Sequence, residues 1–244
     1  MTIVIPMAGA SERFTSIGMS PKYMLKVKPF TTLFDAALES FKKWYDTANF
    51  IVIVKDAFAG EFAESHLKLL KVKNYKVVNL DYLTRGQAES VYLGLQRAGI
   101  EDDGDELMIF NIDTIRYNLE IPEDDEWDSL FDAFYDDSNS LEWSFAKVED
   151  NSLNIIKTAE KKRISCWCST GLYIFRSIWL YNDSYERAEK DKAYNFYIAP
   201  LYNYMKGMKN KLLICDKKDV DFSGTPSQYY QFVQKLKNKD TDTK

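Results

Sequence analysis

Histidine occurs once in these 244 residues and cysteine three times. An odd, small cysteine count cannot furnish the paired framework of a disulfide-stapled secreted domain, and no basic start with an apolar stretch precedes TIVIPMAG. The chain therefore reads as cytoplasmic, with reduced thiols. Cys166 and Cys168 form a C-x-C whose only remaining partner is Cys215, too few thiols for a zinc site. In a strand the two would share one face and line a core. Long apolar runs are missing as well: Phe50 to Val54 spans 5 residues, against the roughly 20 that cross a bilayer, so no membrane insertion is expected. Nor is there a basic excess. Lys and Arg total 32 against 37 Asp and Glu, a net charge of −5, which lacks the electrostatic footprint of nucleic-acid binding. A few local cations could still hold a small phosphorylated molecule. No repeat and no Gly/Ser/Pro-rich linker divides the chain, and 45% of it is hydrophobic and 15% aromatic. That composition supports one domain over residues 1–244 with a large core.

The first half alternates β-branched runs with helix-period segments. TIVIP, FIVIV, YKVVNL and LMIFNI (Leu107 to Ile112) are nearly continuous apolar strands of the kind buried on both faces. Between the first two lies LFDAALESFKKWY, with Leu33, Ala37, Phe41, Trp44 and Tyr45 at helical spacing behind a Thr32/Asp35 capping box. Further helices are expected over residues 58–70 and 87–98. This alternation predicts an α/β fold with a right-handed, doubly wound, mostly parallel sheet. The second half reads as an α+β extension. Its strands are expected over 141–148, 153–159, 170–175 and 211–215, and its helices over 196–206 and from Pro226 to about Leu236, before a frayed tail. From Glu120 to Asp137, 9 of 18 residues are acidic, which reads as a solvated helix face or loop.

Chemistry is concentrated where the first strand ends. Ala8, Gly9, Ala10 and Ser11 are small enough for backbone N–H groups to approach an anion, at the strand end where open α/β sheets bind ligands. Arg13 lies four residues beyond Gly9, and Lys22 follows Pro21 after the irregular SIGMSP stretch. Two cations thus flank one loop, as a triphosphate would require. Asp113 closes the apolar run LMIFNI, out of place in a core and well placed at a ligand edge. His66, in FAESHLKLL, reads as a structural or surface residue.

MAGASERF and SPKYML resemble the opening signature of the sugar-1-phosphate nucleotidyltransferases, also called nucleotide-sugar pyrophosphorylases. Further family-like segments follow in order: RGQAESVYLGL, FNIDT, EKK, STGLYIF and GTPSQY. Together they cover nearly the whole chain. The resemblance implies a Rossmann-like sheet related to the GT-A type, with residues 1–115 binding the nucleotide and 116–244 the acceptor. It also implies transfer of a nucleotidyl group from a nucleoside triphosphate to a sugar phosphate, with release of pyrophosphate, to make an activated sugar for surface polysaccharide. Mg²⁺ is the implied cofactor, and CTP, UTP or dTTP is favoured over purines. Glycosyltransferases share a similar sheet, but their D-x-D pair is absent at Asn111, Ile112 and Asp113.

Residue by residue, the resemblance makes Arg13 and Lys22 the triphosphate-gripping cations, with Lys22 at the α-phosphate, and Asp113 the first Mg²⁺ ligand. The family's second ligand precedes Gly-Thr-Pro by two positions, where Phe222 stands here. Asp221, one residue off, is carried as the second metal ligand, with Asp219 as its rival. Gly86 is expected at the nucleobase, and Asp81 where relatives read the pyrimidine edge. Glu160 and Lys161 match the pair that holds the acceptor's hydroxyls and phosphate, with Lys162 in place of the family's proline. Thr170, Gly171 and Tyr173 match the strand lining the acceptor pocket. Two alternatives stay open: a non-sugar acceptor such as phosphocholine, or a catalytically silent nucleotide-binding subunit. Self-association is also open, and the aromatic stretch from Tyr194 to Tyr204 could serve it or the core. After GTPSQY little chain is left, so only the transfer step is expected to be encoded.

Overall fold

The computed structural model describes residues 1–100, 104–124 and 126–242. In chain order, β1 (Thr2–Pro6) leads into a helical turn, α1 (Glu12–Thr15), a small ribbon of β2 (Lys26–Lys28) and β3 (Thr31–Thr32), and α2 (Leu33–Glu39). The nucleotide-binding half expected from the sequence continues as β4 (Asn49–Val54), α3 (Ala57–Leu69), β5 (Asn74–Asn79), α4 (Gln87–Ala98) and β6 (Leu107–Phe110). Beyond it come β7 (Thr114–Arg116), β8 (Ser129–Tyr135), β9 (Ser144–Val148), β10 (Ile155–Glu160), β11 (Trp167–Phe175) and α5 (Ile178–Glu189). β12 (Asn210–Ile214), β13 (Val220–Phe222) and α6 (Pro226–Asp242) complete it.

The strands β5, β4, β1 and β6 lie side by side and parallel. Alternate residues of this half serve different faces, and both are buried: Ile3 and Ile5 pack with α2 and α3, whereas Val4 and Ile53 pack under α4 and α5. Parallel strands covered by helices on both sides must be apolar throughout, which is why they stood out as runs. β11 then enters antiparallel between β6 and β8, and β12 adds to β8 in parallel.

One feature of β11 creates the site. Its C-terminal half, Leu172 to Phe175, pairs with β6, while on the same side its start, Trp167 and Cys168, pairs with β9. The strand changes partner across Ser169–Gly171, where its register against β8 also shifts. The β9–β10 hairpin splays from β6 there, and a cleft opens between them.

Several expectations are corrected. The helix begun by the Thr32/Asp35 capping box is real, with the Asp35 carboxylate accepting from the Thr32 amide at 2.7 Å, but it stops at Glu39 and only a 3-10 turn, Lys42–Trp44, follows. The segment 196–206 contains a 3-10 turn, Ala199–Tyr204, and α6 runs to Asp242. Tyr194 and Tyr202 are buried in the core. The acidic stretch is not a solvated face throughout: its second half is β8, where Asp132 is fully buried against Arg116. Asp125 of that stretch lies outside the described residues, as do 243 and 244 of the expected frayed tail. His66 is a structural residue, its Nδ1 2.6 Å from the Asp35 carboxylate and its ring stacked on Phe62 at 4.1 Å. Cys168 and Cys215 are buried, and burial pushes both thiols up to about 12.

Candidate active site

The cleft has two compartments, of about 280 and 160 Å³. They share Gln87, Asn111 and Asp113. The larger is walled by the loop after β1, including Ala8, Gly9 and Ser11, by Lys22, and by Leu83, Thr84, Gly86 and Gln87 leading into α4. The smaller is walled by Arg13, the β9–β10 hairpin, the floor Ser169–Gly171 and the turn Gly224–Thr225.

The three residues expected to do the chemistry meet where the compartments join. The Lys22 ammonium donates to the Asp113 carboxylate at 2.7 Å, each side chain about three-quarters buried. Lys22 is aimed by its own backbone, whose amide donates to the Ser11 hydroxyl at 3.3 Å. Ser11 adopts a left-handed conformation and its carbonyl accepts from Phe14 at 2.9 Å, turning the chain from β1 into α1. Arg13 reaches the Gly224 carbonyl at 3.4 Å, and Gly224 lies against Asp113: a Cβ there would stand 3.2 Å from the carboxylate. Around Gly9 nothing would obstruct a Cβ within 4 Å, so this loop is open to a ligand. Ala10 is exposed on it.

In the smaller compartment, Glu160 and Ser144 face each other across the β9–β10 ladder. The Ser144 hydroxyl donates to the Glu160 carboxylate, and the Tyr173 hydroxyl donates to Ser144 at 3.3 Å. Burial raises the Glu160 carboxyl above its ordinary range, opposed by the Ser144 hydrogen bond and by Lys161. The Lys161 ammonium stands at the rim, 3.3 Å from the hydroxyl of Tyr197, which itself lines the cleft. Gly171 has φ of +92° and its bare α-carbon abuts the Asn111 side chain.

Three expected residues take other places. Asp221 pairs with Ile115 in the β7–β13 ribbon, next to Phe222 opposite Thr114. Alternation therefore sends Phe222 to the cleft and Asp221 to the far side, where it accepts from Lys235 at 2.7 Å and from Tyr117 at 3.0 Å. No bulge re-aims it, and Asp219 is likewise outside the cleft, bonded to Asn118 at 2.9 Å. Asp81 is exposed, 3.5 Å from Arg97, and lines neither compartment. Gly86 does line the larger compartment, but the space a Cβ would take is filled by Phe196, whose carbonyl would be 2.6 Å away.

The structure adds residues that sequence reasoning missed. Gln87 donates to the Asn111 side chain at 2.6 Å and so fixes the shared wall. Trp143 and Phe222 form an aromatic corner, ring centroids 4.6 Å apart, beside Glu142. Asn111 lies two positions before Asp113 in FNIDT and could have been marked by position; the Trp143–Phe222 contact, between distant elements, left no local signal.

No protein-family model and no curated protein matches the chain. Solved structures do. A nucleoside-diphosphate-sugar pyrophosphorylase from Vibrio cholerae RC9 is 35% identical, with 95% of this chain and 99% of that chain covered at a TM-score of 0.86. The chain belongs to the nucleoside-diphosphate-sugar pyrophosphorylase family. An inositol-1-phosphate CTP transferase from T. maritima, at 17% identity, shares the fold of this pyrophosphorylase-family chain over 97% of it and 96% of that chain, with a TM-score of 0.75. HddC from Yersinia pseudotuberculosis, at 16% identity and a TM-score of 0.69, does so over 96% and 99%.

Proposed function

We propose that this chain transfers the nucleotidyl group of a nucleoside triphosphate to a sugar phosphate. The observation that carries this reading is the convergence of Lys22, Asp113 and Arg13 at the junction of two compartments, one beneath the open Gly9 loop and one against Glu160. An oxygen of the acceptor phosphate forms a bond to the α-phosphorus, the α–β bridging bond breaks, and pyrophosphate leaves with the bonding electron pair. The nucleophile is already ionised, so no general base is needed. Catalysis is alignment of two anions and compensation of growing charge.

Lys22 supplies that compensation at the α-phosphate, and Arg13 and the amides of Ala8 to Ser11 hold the remaining phosphates. Glu160 accepts from acceptor hydroxyls, Lys161 at the rim takes the acceptor phosphate, and Tyr173 and Gly171 shape the pocket. Asp113 offers an oxygen ligand at the junction, which fits Mg²⁺, an ion commonly held by one or two carboxylates plus substrate phosphates. Asp221 is tied elsewhere, so Asp113 would be the principal protein ligand; the ion, when bound, supplies charge neutralisation on the leaving pyrophosphate. CTP, UTP or dTTP remains the favoured donor class. The free thiols suit a cytoplasmic location, and an activated sugar for surface polysaccharide is the product we favour.

A second reading, a non-sugar phosphate with a cationic head such as phosphocholine, is supported by the Trp143–Phe222 corner beside Glu142, which could receive a quaternary ammonium by cation–π attraction. Pyrophosphate release is the test, measured with Mg²⁺, each common triphosphate in turn, and a panel of sugar phosphates plus phosphocholine. We expect release that depends on both a pyrimidine triphosphate and a sugar phosphate. Release with phosphocholine alone selects the second reading, and triphosphate binding without release under any combination overturns nucleotidyl transfer.

Glu160 gives this reading a pH signature. Its raised carboxyl takes up a proton at higher pH than an ordinary glutamate, so acceptor binding should weaken on acidification before carboxylates of the ordinary range titrate. Ser144→Ala removes a bond that favours the charged form. The acid limb of kcat/KM for the acceptor should therefore move to higher pH in that variant; an unchanged limb would separate Glu160 from acceptor binding.

A further inference from the structure

Asp132 is a carboxylate buried in the interior of the sheet, on β8, outside both compartments. Its partner Arg116 is also buried, and the guanidinium binds it with two donors, Nε to Oδ2 at 3.0 Å and Nη2 to Oδ1 at 3.3 Å. Such a pair adds little net stability, because desolvation offsets most of the attraction, and apolar side chains would pack the place as well. What distinguishes this one is what it joins. Asp132 Oδ2 also accepts from the Thr170 hydroxyl at 2.5 Å. Arg116 lies three residues after Asp113 on β7, and Thr170 lies immediately before Gly171 in the stretch where β11 changes partner. A second link closes the loop: the Thr114 hydroxyl donates to the Thr170 carbonyl at 2.9 Å, and the Asn111 amide donates to the Gly171 carbonyl at 3.0 Å.

One carboxylate therefore ties the segment that presents Asp113 to the segment that forms the acceptor floor. No regular ladder joins the two segments to each other, since β7 pairs with β13 and β11 is between partners. We propose that Asp132 is a positioning residue that sets the spacing between Asp113 and the Gly171 floor, acting through Thr170 and Arg116. It touches no substrate. Its action on turnover rests on the nucleotidyl-transfer reading; its action on the floor does not.

Thr170→Val tests this, because it removes the hydroxyl at nearly constant volume and keeps the Asp132–Arg116 pair. Using the full chain and the triphosphate and acceptor giving the fastest wild-type pyrophosphate release in the panel above, Thr170→Val should lower kcat/KM for the acceptor about tenfold or more, since small displacements of a reacting centre are costly. The triphosphate KM should stay within about twofold, and Thr170→Ser, which keeps the hydroxyl, should restore the acceptor value to within about threefold. Without any ligand, amide exchange at Asn111 should be about tenfold faster in the valine than in the serine variant, with Ile51 in β4 unchanged. Equal acceptor kinetics and equal Asn111 exchange in the two variants would overturn the proposal, even if valine lowers Tm. Should Thr170→Val fail to fold, Thr170→Ala against Thr170→Ser reads the same hydroxyl link to Asp132. A panel without any turnover removes the reaction but leaves the Asn111 comparison to decide the role of Asp132.

Discussion

The Lys22→Ala variant is expected to lose about a hundredfold or more in turnover while keeping its fold, as befits removal of one group that compensates transition-state charge. The structure sharpens both halves of that statement. The ammonium sits 2.7 Å from Asp113 at the junction of the compartments, so its loss leaves the reacting phosphates without the cation nearest the carboxylate. The ion pair is partly exposed, side chains 26% and 21% accessible, and pairs of that kind contribute about 1 kcal/mol or less. Pyrophosphate release measured beside a melting curve separates the two effects. Near-normal release, or a collapse of Tm that accounts for the lost rate, would remove Lys22 from the chemistry. Lys22→Arg is not expected to rescue, because a planar fork cannot occupy the place of a compact ammonium.

Gly171→Ala should damage stability and activity together. At φ of +92° an alanine is strained whatever the space around it, and its Cβ would lie 2.7 Å from Asn111 Nδ2. Asn111 has no easy retreat, since Gln87 holds its other side-chain atom at 2.6 Å. Backbone strain and overpacking together suggest a loss of about 3 kcal/mol, readable by denaturant unfolding. The displaced Asn111 should also carry Asp113 out of place, lowering kcat beyond what the unfolded fraction explains. Gly9→Ala is the control: a Cβ there meets nothing within 4 Å, so its unfolding midpoint should match wild type. Equal midpoints for Gly171→Ala and wild type would contradict the geometry.

Legibility in the sequence followed local physics. β1, β4 and β6 were readable because a strand covered on both faces must be apolar along its whole length, and Asp113 was readable because a carboxylate ends such a run. Arg13, Lys22 and the Gly9 loop lie within one short segment, so their company needed no tertiary knowledge. β8 was hidden because its charge is compensated from another strand, Asp132 by Arg116 of β7, and Asp136 just beyond its end by the more distant Arg163 and Lys217. α5 was missed altogether, its polar NDSYERAE stretch masking buried Ile178, Tyr181 and Tyr185. Glu160 could be named, but not its hydrogen bond to Ser144, which arises from strand pairing. Asp221 shows the opposite limit: one step along a strand reverses the face, and a near-match in sequence becomes a residue on the wrong side.

The β9–β10 hairpin pairs with β11 through Trp167 and Cys168, and it is braced elsewhere by Lys211 of β12 and by Thr158, which bonds Ala199 and Asn203. Under the proposed function this braced hairpin walls the acceptor compartment, apart from the parallel strands beneath the triphosphate. On that reading, substrate choice and phosphate chemistry rest on different elements of this molecule. Exchange of the hairpin, residues 144–160, is the natural place to redirect which compound becomes activated without rebuilding the machinery that activates it.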